Sequence, residues 1–225
     1  LEVYHAPKML EPPAIHRDKQ GRVSLESFDV GLDIYYTTDG TIPSPNSTRY
    51  AEGFDFKGRG VVRALAHDPS TGLSSSVSQR SFDICKGLWR MIRPDPASDP
   101  RAESIIDAKP QSIWRSQPEQ GMPGEVVVDL GEELELTGFT YLPSQQRYIQ
   151  GTLSRFSFFV SRDGKQWGDP VSTGEFSNIR NSPVLQTISF DPVRARYIKL
   201  VGEREINDEP FMSMAELGVI SVDAD

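Results

Sequence analysis

Carboxylates are the most abundant chemically competent side chains of this chain: 32 Asp and Glu stand against 24 Lys and Arg, giving a net charge of −8. Two suitably spaced carboxylates suffice for glycoside hydrolysis, so their number alone leaves that chemistry open. The patterns that would organise other catalysis are missing from the sequence: there is no nucleophile elbow, no zinc-binding helix motif and no Ser–Lys pairing. The three histidines, His5, His16 and His67, are scattered, without an i, i+4 or comparable ligand spacing. Cys85 is the only cysteine, which removes intramolecular disulfides and Cys-based zinc sites. An acidic chain with no basic stripe and no Gly-rich phosphate loop is poorly suited to nucleic acid. No apolar run is long enough to span a bilayer. Beyond the carboxylates, the residue inventory offers no organised catalytic set.

The elements that must position these residues are strands. Ile34 and Tyr36 oppose Tyr35 and Thr37; Val62, Ala64 and Ala66 oppose Arg63 and His67. Phe156, Phe158 and Val160 oppose Ser157, while Val184, Ile188 and Phe190 oppose Thr187 and Ser189. Short period-two segments, punctuated by turn residues in a chain with 18 Gly and 17 Pro, indicate β-sandwiches. No long window keeps a helical period; one short helix is expected over Pro100–Ile105, with Asp99 as its cap and Pro100 in its first turn. The fold class is thus all-β, with two consecutive β-sandwiches over residues 1–86 and 87–225, divided near Cys85-Lys86-Gly87.

In the first of these, Asp33-Ile34-Tyr35-Tyr36-Thr37-Thr38-Asp39-Gly40-Thr41-Ile42-Pro43-Ser44 reads as a strand ending in a tight turn, with Gly40 supplying a positive φ. This stretch, with Asn46 to Tyr50 after it, resembles the small immunoglobulin-like sandwich at the C-termini of chitobiases and hexosaminidases. Related copies follow the catalytic barrel of bacterial α-L-fucosidases. Tyr35, Tyr36 and Tyr50 suggest an aromatic platform, but alternation sends Tyr35 and Tyr36 to opposite faces, so a core role is expected for at least one.

The second region carries five motifs in order: Ile105-Ile106-Asp107 with Ser112-Ile113-Trp114, Val126 to Gly131, Val160 to Trp167, Ala195 to Leu200, and Met214-Ala215-Glu216-Leu217. Together they resemble the coagulation-factor C-type (discoidin) fold, a galactose-binding-like jelly roll, and within it the family 32 carbohydrate-binding modules. The resemblance implies a structural Ca²⁺ held by Asp107, Ser112 and Glu216 with main-chain oxygens from about Lys109 and Ser112. Ca²⁺ favours about six to eight hard oxygens and accepts loop carbonyls. Three departures bear on it: Ala108 replaces the usual Gly, Lys109 the usual Asn or Asp, and Gln111 the usual acid. The ammonium of Lys109 is a candidate substitute for the ion. Trp89, Trp114 and Trp167 are expected in the core. Glu203, Glu205, Asp208 and Glu209 read as a solvated acidic rim. Arg196 and Lys199 read as edge charges or carboxylate partners.

The same resemblance places sugar contacts on loops at one end of the sandwich. Arg147 and Tyr148 form one candidate group, since a cation beside an aromatic face can hold a pyranose by stacking and bidentate hydrogen bonding. Phe176, Asn178 and Asn181 form a second. The histidine common in galactose-binding members is missing, because all three histidines lie in the first region. The implied function is a non-catalytic accessory fragment of a secreted, periplasmic or cell-surface glycoside hydrolase similar to family 29 α-L-fucosidases. A glycan ligand and an upstream catalytic domain of the same polypeptide are its expected partners. A protein- or lipid-binding adhesin region is the alternative, with Ile149 as a thin apolar candidate for a membrane-facing loop tip.

Overall fold

The computed structural model describes residues 9–146 and 150–222. The chain separates into two compact units, Leu1–Cys85 and Lys86–Asp225. Both are built from antiparallel strands, and among the described residues no helix is long and apolar enough to cross a membrane.

The first unit stacks a three-stranded sheet on a four-stranded one. Strands β1 (Ala14–Arg17), β2 (Arg22–Glu26) and β5 (Phe54–Asp55) form the smaller, in the order β1-β2-β5. Strands β3 (Asp33–Thr37), β4 (Thr48–Arg49), β6 (Gly60–His67) and β7 (Ser78–Phe82) form the larger, ordered β4-β3-β6-β7. Period-two alternation puts Ile15, Val23 and Leu25 of one sheet against Ile34, Val62 and Ala64 of the other, and these residues are the core. Tyr36 packs on this core and stacks on Phe54 at 4.2 Å, with Tyr50 edge-on to it at 6.4 Å. Tyr35 faces the other way, against His67. The tyrosines are therefore split between faces and make no platform. The tight turn after β3 forms as its residues require: Gly40 has φ +83°, and the Asp39 carboxylate accepts from the Thr41 N–H at 3.0 Å and the Thr41 hydroxyl at 2.6 Å.

The second unit centres on a sheet ordered β12-β11-β13-β10-β15, with β8 (Arg90–Arg93) also paired to β10. Its strands are β10 (Gly124–Leu142), β11 (Leu153–Ser161), β12 (Ser172–Glu175), β13 (Gln186–Glu205) and β15 (Glu216–Ser221). A separate two-stranded ribbon joins β9 (Trp114–Arg115) to β14 (Ser213–Met214). Strands β10 and β13 run 19 and 20 residues, longer than the turn residues within them suggest. The reason is that Gly131-Glu132-Glu133 and Asp191-Pro192 do not end the pairing. The β10–β13 register shifts between Asp129 and Leu134 and again between Leu136 and Gly138, so each strand bends across the sandwich instead of stopping. Val184, assigned to a strand face by alternation, is exposed and precedes β13.

An aromatic cluster fills this core. Phe139 stacks on Phe158 at 4.1 Å, and Phe156 and Tyr141 stack on Phe176 at 4.5 and 4.8 Å. Such contacts add about 0.5–1.5 kcal/mol per pair beyond area burial. Trp89 and Trp114 are buried, as the motifs imply. Trp167 is only half-buried; with Phe159 it lies beneath the Lys199 ammonium, 4.7 and 4.5 Å from the ring centroids. The short helix expected after Asp99 is a 3₁₀ segment over Pro100–Ile106, and the Asp99 carboxylate caps it by accepting from the Arg101 N–H. Asp129 lies in the fully buried run Val126–Leu130 and therefore requires a partner. Arg196 supplies it through two hydrogen bonds of 2.8 and 2.9 Å, which hold the Asp129 carboxyl below its usual range.

Candidate functional site

Strands β9 and β14 bring the loops of the second unit together. Ser213 pairs with Arg115 and Met214 with Trp114. The Ser116 N–H donates to the Met212 carbonyl at 2.9 Å, and the Met212 N–H donates to the Ser116 hydroxyl at 3.0 Å. Beside this ribbon opens a cavity of about 370 Å³, lined among others by Arg93, Asp95, Ser98, Trp114, Gln120 and Glu125. That volume is within the range of small-ligand sites. The Trp114 indole N–H is taken by Asp99 at 2.7 Å, so the ring contributes an apolar wall and no free donor. Arg93 and Glu125 form an ion pair at the rim, with 65% and 32% of their side-chain surface exposed. The cleft thus offers carboxylates, a guanidinium, an amide and a hydroxyl around an apolar wall. That mixture suits a neutral, many-hydroxyl ligand better than an ion or a lipid tail. Sequence reasoning missed these residues: Arg93 ends β8, Asp95 and Ser98 sit in the Asp/Pro-rich loop after it and Gln120 in a 3₁₀ turn, none with a periodic or motif signal.

Two of the expected sugar contacts, Arg147 and Tyr148, lie outside the described residues, as does Ile149. The chain that follows them is held firmly. The Ser213 N–H donates to the Gly151 carbonyl at 2.7 Å and the Ser213 hydroxyl to the Gln150 carbonyl at 2.7 Å. Gly151 has φ +81°, and a Cβ there would lie 2.8 Å from Ser213 backbone, so only glycine fits. Glu205, expected on a solvated rim, is instead 1% exposed. Its carboxylate accepts from the Gly151 N–H at 3.0 Å, the Glu209 N–H at 3.1 Å and the Asn207 N–H. It is the fastener between the loop ending at Gly151 and the loop after β13. Glu203 and Asp208 keep their surface character, paired with Arg155 and Arg204. Burial keeps the neighbouring Tyr141 hydroxyl un-ionised; it accepts from the Leu153 N–H at 3.0 Å and donates to the Ser213 carbonyl at 3.1 Å.

The second group divides. Phe176 does not face a ligand: it is 5% exposed and sandwiched against Tyr141 and Phe156. A large aromatic next to a sheet edge gains more from entering the core than from solvent. Asn178 and Asn181 are exposed but bond each other, Asn181 Nδ2 donating to Asn178 Oδ1 at 2.9 Å, in a turn where Asn178 takes φ +52°. They are surface residues of a closed turn.

Asp107, Lys109, Ser112 and Glu216 do come together in part. The Ser112 hydroxyl lies 2.9 and 2.8 Å from the Asp107 carboxylate oxygens and 2.7 Å from the Lys109 carbonyl. The Lys109 N–H donates to Asp107 at 2.8 Å. Ala108 keeps the left-handed conformation, φ +63°, that a glycine would take without strain. Burial raises the Glu216 carboxyl to about 7, against the opposing pull of Lys86, with Asp107 adding to the rise. The Lys109 side chain is exposed; the ammonium that meets Glu216 is that of Lys86, which ion-pairs with Oε2. This donor set does not fit Ca²⁺. The two carboxylates, one hydroxyl and one carbonyl supply at most six oxygens, the bottom of the range of about six to eight, and they are already engaged: Asp107 and the Lys109 carbonyl by Ser112, Glu216 by the Lys86 ammonium. Among the described residues no group of three or more His, Cys, Asp or Glu could hold a metal.

This architecture is an all-β jelly-roll sandwich with loops gathered over a two-stranded ribbon. Residues 95–217, more than half of the chain, match the F5/8 type C domain model, and the chain belongs to that family. Residues 23–82 match the model described as Fn3 associated. Among solved structures, the chain is similar to CpGH89CBM32-5 from Clostridium perfringens, in complex with GalNAc-β-1,3-galactose. The identity is 27% and the TM-score 0.52, covering 60% of this chain and 97% of that one. It shares the fold of CBM32-3 from a family 31 glycoside hydrolase of C. perfringens at 20% identity and TM-score 0.55, covering 61% of this chain and 93% of that one. It also shares the fold of the C-terminal domain of a Bacteroides fragilis chitobiase at 22% and 0.51, covering 62% and 97%. Galactose oxidase from Gibberella zeae is 24% identical over 164 residues, 71% of this chain. The chain spans 23% of that relative's length.

Proposed function

We propose that the second unit is a carbohydrate-binding module and that the whole chain is a non-catalytic accessory region of a glycoside hydrolase. The observation that carries this reading is the polar cleft beside β9 and β14, in a chain 27% identical to a module solved with GalNAc-β-1,3-galactose. A guanidinium, carboxylates and an amide around one apolar wall are the groups that grip vicinal hydroxyls. Arg147 and Tyr148 precede the Gln150–Gly151 segment pinned to β14, and they are proposed to complete the site. The parent enzyme is proposed to resemble a family 29 α-L-fucosidase, secreted, periplasmic or on the cell surface, with its catalytic domain upstream. The resemblance of the paired domains supports that parentage.

Calorimetric titration of the chain with galactose, N-acetylgalactosamine and their β-linked disaccharide tests the proposal. Arg93→Ala and Arg147→Ala are each expected to weaken binding about tenfold or more, equivalent to about 1.4 kcal/mol. Absence of binding to any glycan on an array at millimolar concentration would remove it. The isolated chain is expected to leave aryl fucosides intact; turnover by it would refute the non-catalytic assignment. One observation favours the adhesin alternative: Val184 and Leu185 are 57% and 52% exposed, next to Pro183, whose carbonyl accepts from Gln145. Co-sedimentation with anionic vesicles, lost in Val184→Ser/Leu185→Ser, would move the conclusion to that reading.

A further inference from the structure

We infer that the ammonium of Lys86 is the resident cation of the Asp107–Glu216 loop, occupying by covalent attachment the role a divalent ion would otherwise take. Lys86 is the first residue of the second unit. Its carbonyl accepts from the Trp89 N–H at 3.0 Å, which closes a turn and fixes the origin of the side chain. From there the side chain runs inward: it is 15% exposed, with Nζ 5.5 Å from the centroid of the buried Trp89 ring. It ends on Glu216 Oε2, a carboxylate only 12% exposed. Most surface lysines keep the ammonium in water, so burial to this degree marks a fixed charge pair.

The oxygens around it are arranged accordingly. Both Asp107 oxygens and the Lys109 carbonyl lie within hydrogen-bond distance of the Ser112 hydroxyl, which engages them locally. Glu216 Oε1 is buried without a hydrogen-bond partner, the one such side-chain atom among the described residues. An acceptor of this kind is tolerated when a positive charge stands beside the same carboxylate. A dication within metal–oxygen distance of Glu216 would lie against the Lys86 ammonium and be repelled by it. Loop shape is retained without the ion because Ala108 holds its left-handed backbone and Asp107 accepts from the Lys109 N–H. The consequence is a module whose folding is indifferent to calcium.

Thermal melting of the full chain, followed by tryptophan fluorescence in CaCl₂ and in EDTA, tests this. The unsubstituted chain is expected to melt within about 1 °C in the two conditions. Lys86→Ala is expected to melt roughly 10 °C lower in EDTA, the scale for breaking a buried pair in a unit of this size. Calcium is then expected to return part of that loss, because removal of the ammonium frees both the space and the charge. Lys86→Met/Glu216→Leu, which removes both charges, is expected to recover most of the stability and to ignore calcium. A calcium-dependent rise of several degrees in the unsubstituted chain would overturn the inference. So would a Lys86→Ala chain that melts normally in EDTA, or one that calcium leaves unchanged. If Lys86→Ala does not fold, the double variant decides: failure to recover refutes the pair.

Discussion

Replacing Glu205 by glutamine tests whether one buried carboxylate holds the loop before β11 to the loop after β13. The side chain is 1% exposed and accepts from three backbone N–H groups, those of Gly151, Asn207 and Glu209. Glutamine preserves shape but keeps a single acceptor oxygen, and its amide group must point N–H at N–H on the other side. At least one backbone donor is then left without an acceptor in the interior, at about 1–3 kcal/mol, and the charge assistance of the others is lost. The expected cost is about 2–4 kcal/mol, or roughly 8–16 °C in melting temperature for a unit of this length. Glu205→Ala strips all three donors and should cost more. Urea unfolding followed by tryptophan fluorescence is a clean assay, because Trp89, Trp114 and Trp167 all lie in the second unit. Amide exchange adds a local readout: the Gly151, Asn207 and Glu209 amides should lose protection together. A glutamine variant within about 0.5 kcal/mol of the parent, with those three amides still protected, would refute the fastener.

Phe176→Ala should lose about 3–5 kcal/mol by emptying the aromatic cluster, whereas Phe176→Leu should bind glycan normally; a selective loss of affinity in the leucine variant would restore Phe176 as a ligand contact. Asp129, depressed by its hydrogen bonds from Arg196, contributes stability that is present above its unfolded pKa of about 3.9 and is lost as pH falls through the lower folded value. Asp129→Asn should therefore flatten the acid limb of a stability-versus-pH curve below about pH 4; an unchanged limb would show that the pair is not coupled to folding. Ala108→Gly relieves the φ +63° backbone and should stabilise by up to about 1 kcal/mol in denaturant titration. A lower midpoint would mean that the unfolded-state entropy of glycine outweighs the strain.

What the sequence discloses depends on whether a residue acts through its neighbours in the chain. Period-two alternation exposes Ile34, Val62, Phe156 and Phe158 as core, because a strand's faces are written two residues apart. Asp99 is readable as a cap since its partner is two residues on. Glu205 is not readable, because its partners include Gly151, 54 positions away, and an acidic stretch otherwise looks like surface. Lys86 is hidden for the same reason, with Glu216 130 positions distant. Phe176 misleads because a loop aromatic carries no periodicity to show that it turns inward. The cleft formed by Arg93, Gln120 and Glu125 exists only after β8 and β10 have paired and the turns around them have closed.

Both ends of the second unit are tied to one strand. Strand β8 enters opposite Asp129 of β10, and β15 leaves with the Val222 N–H bonded to the Glu135 carbonyl, six positions further along. A module whose entry and exit meet on the same strand can be inserted into a host loop without separating that loop's ends far. By the same geometry, a short peptide joining Val222 to Lys86 should permit new termini elsewhere in the unit.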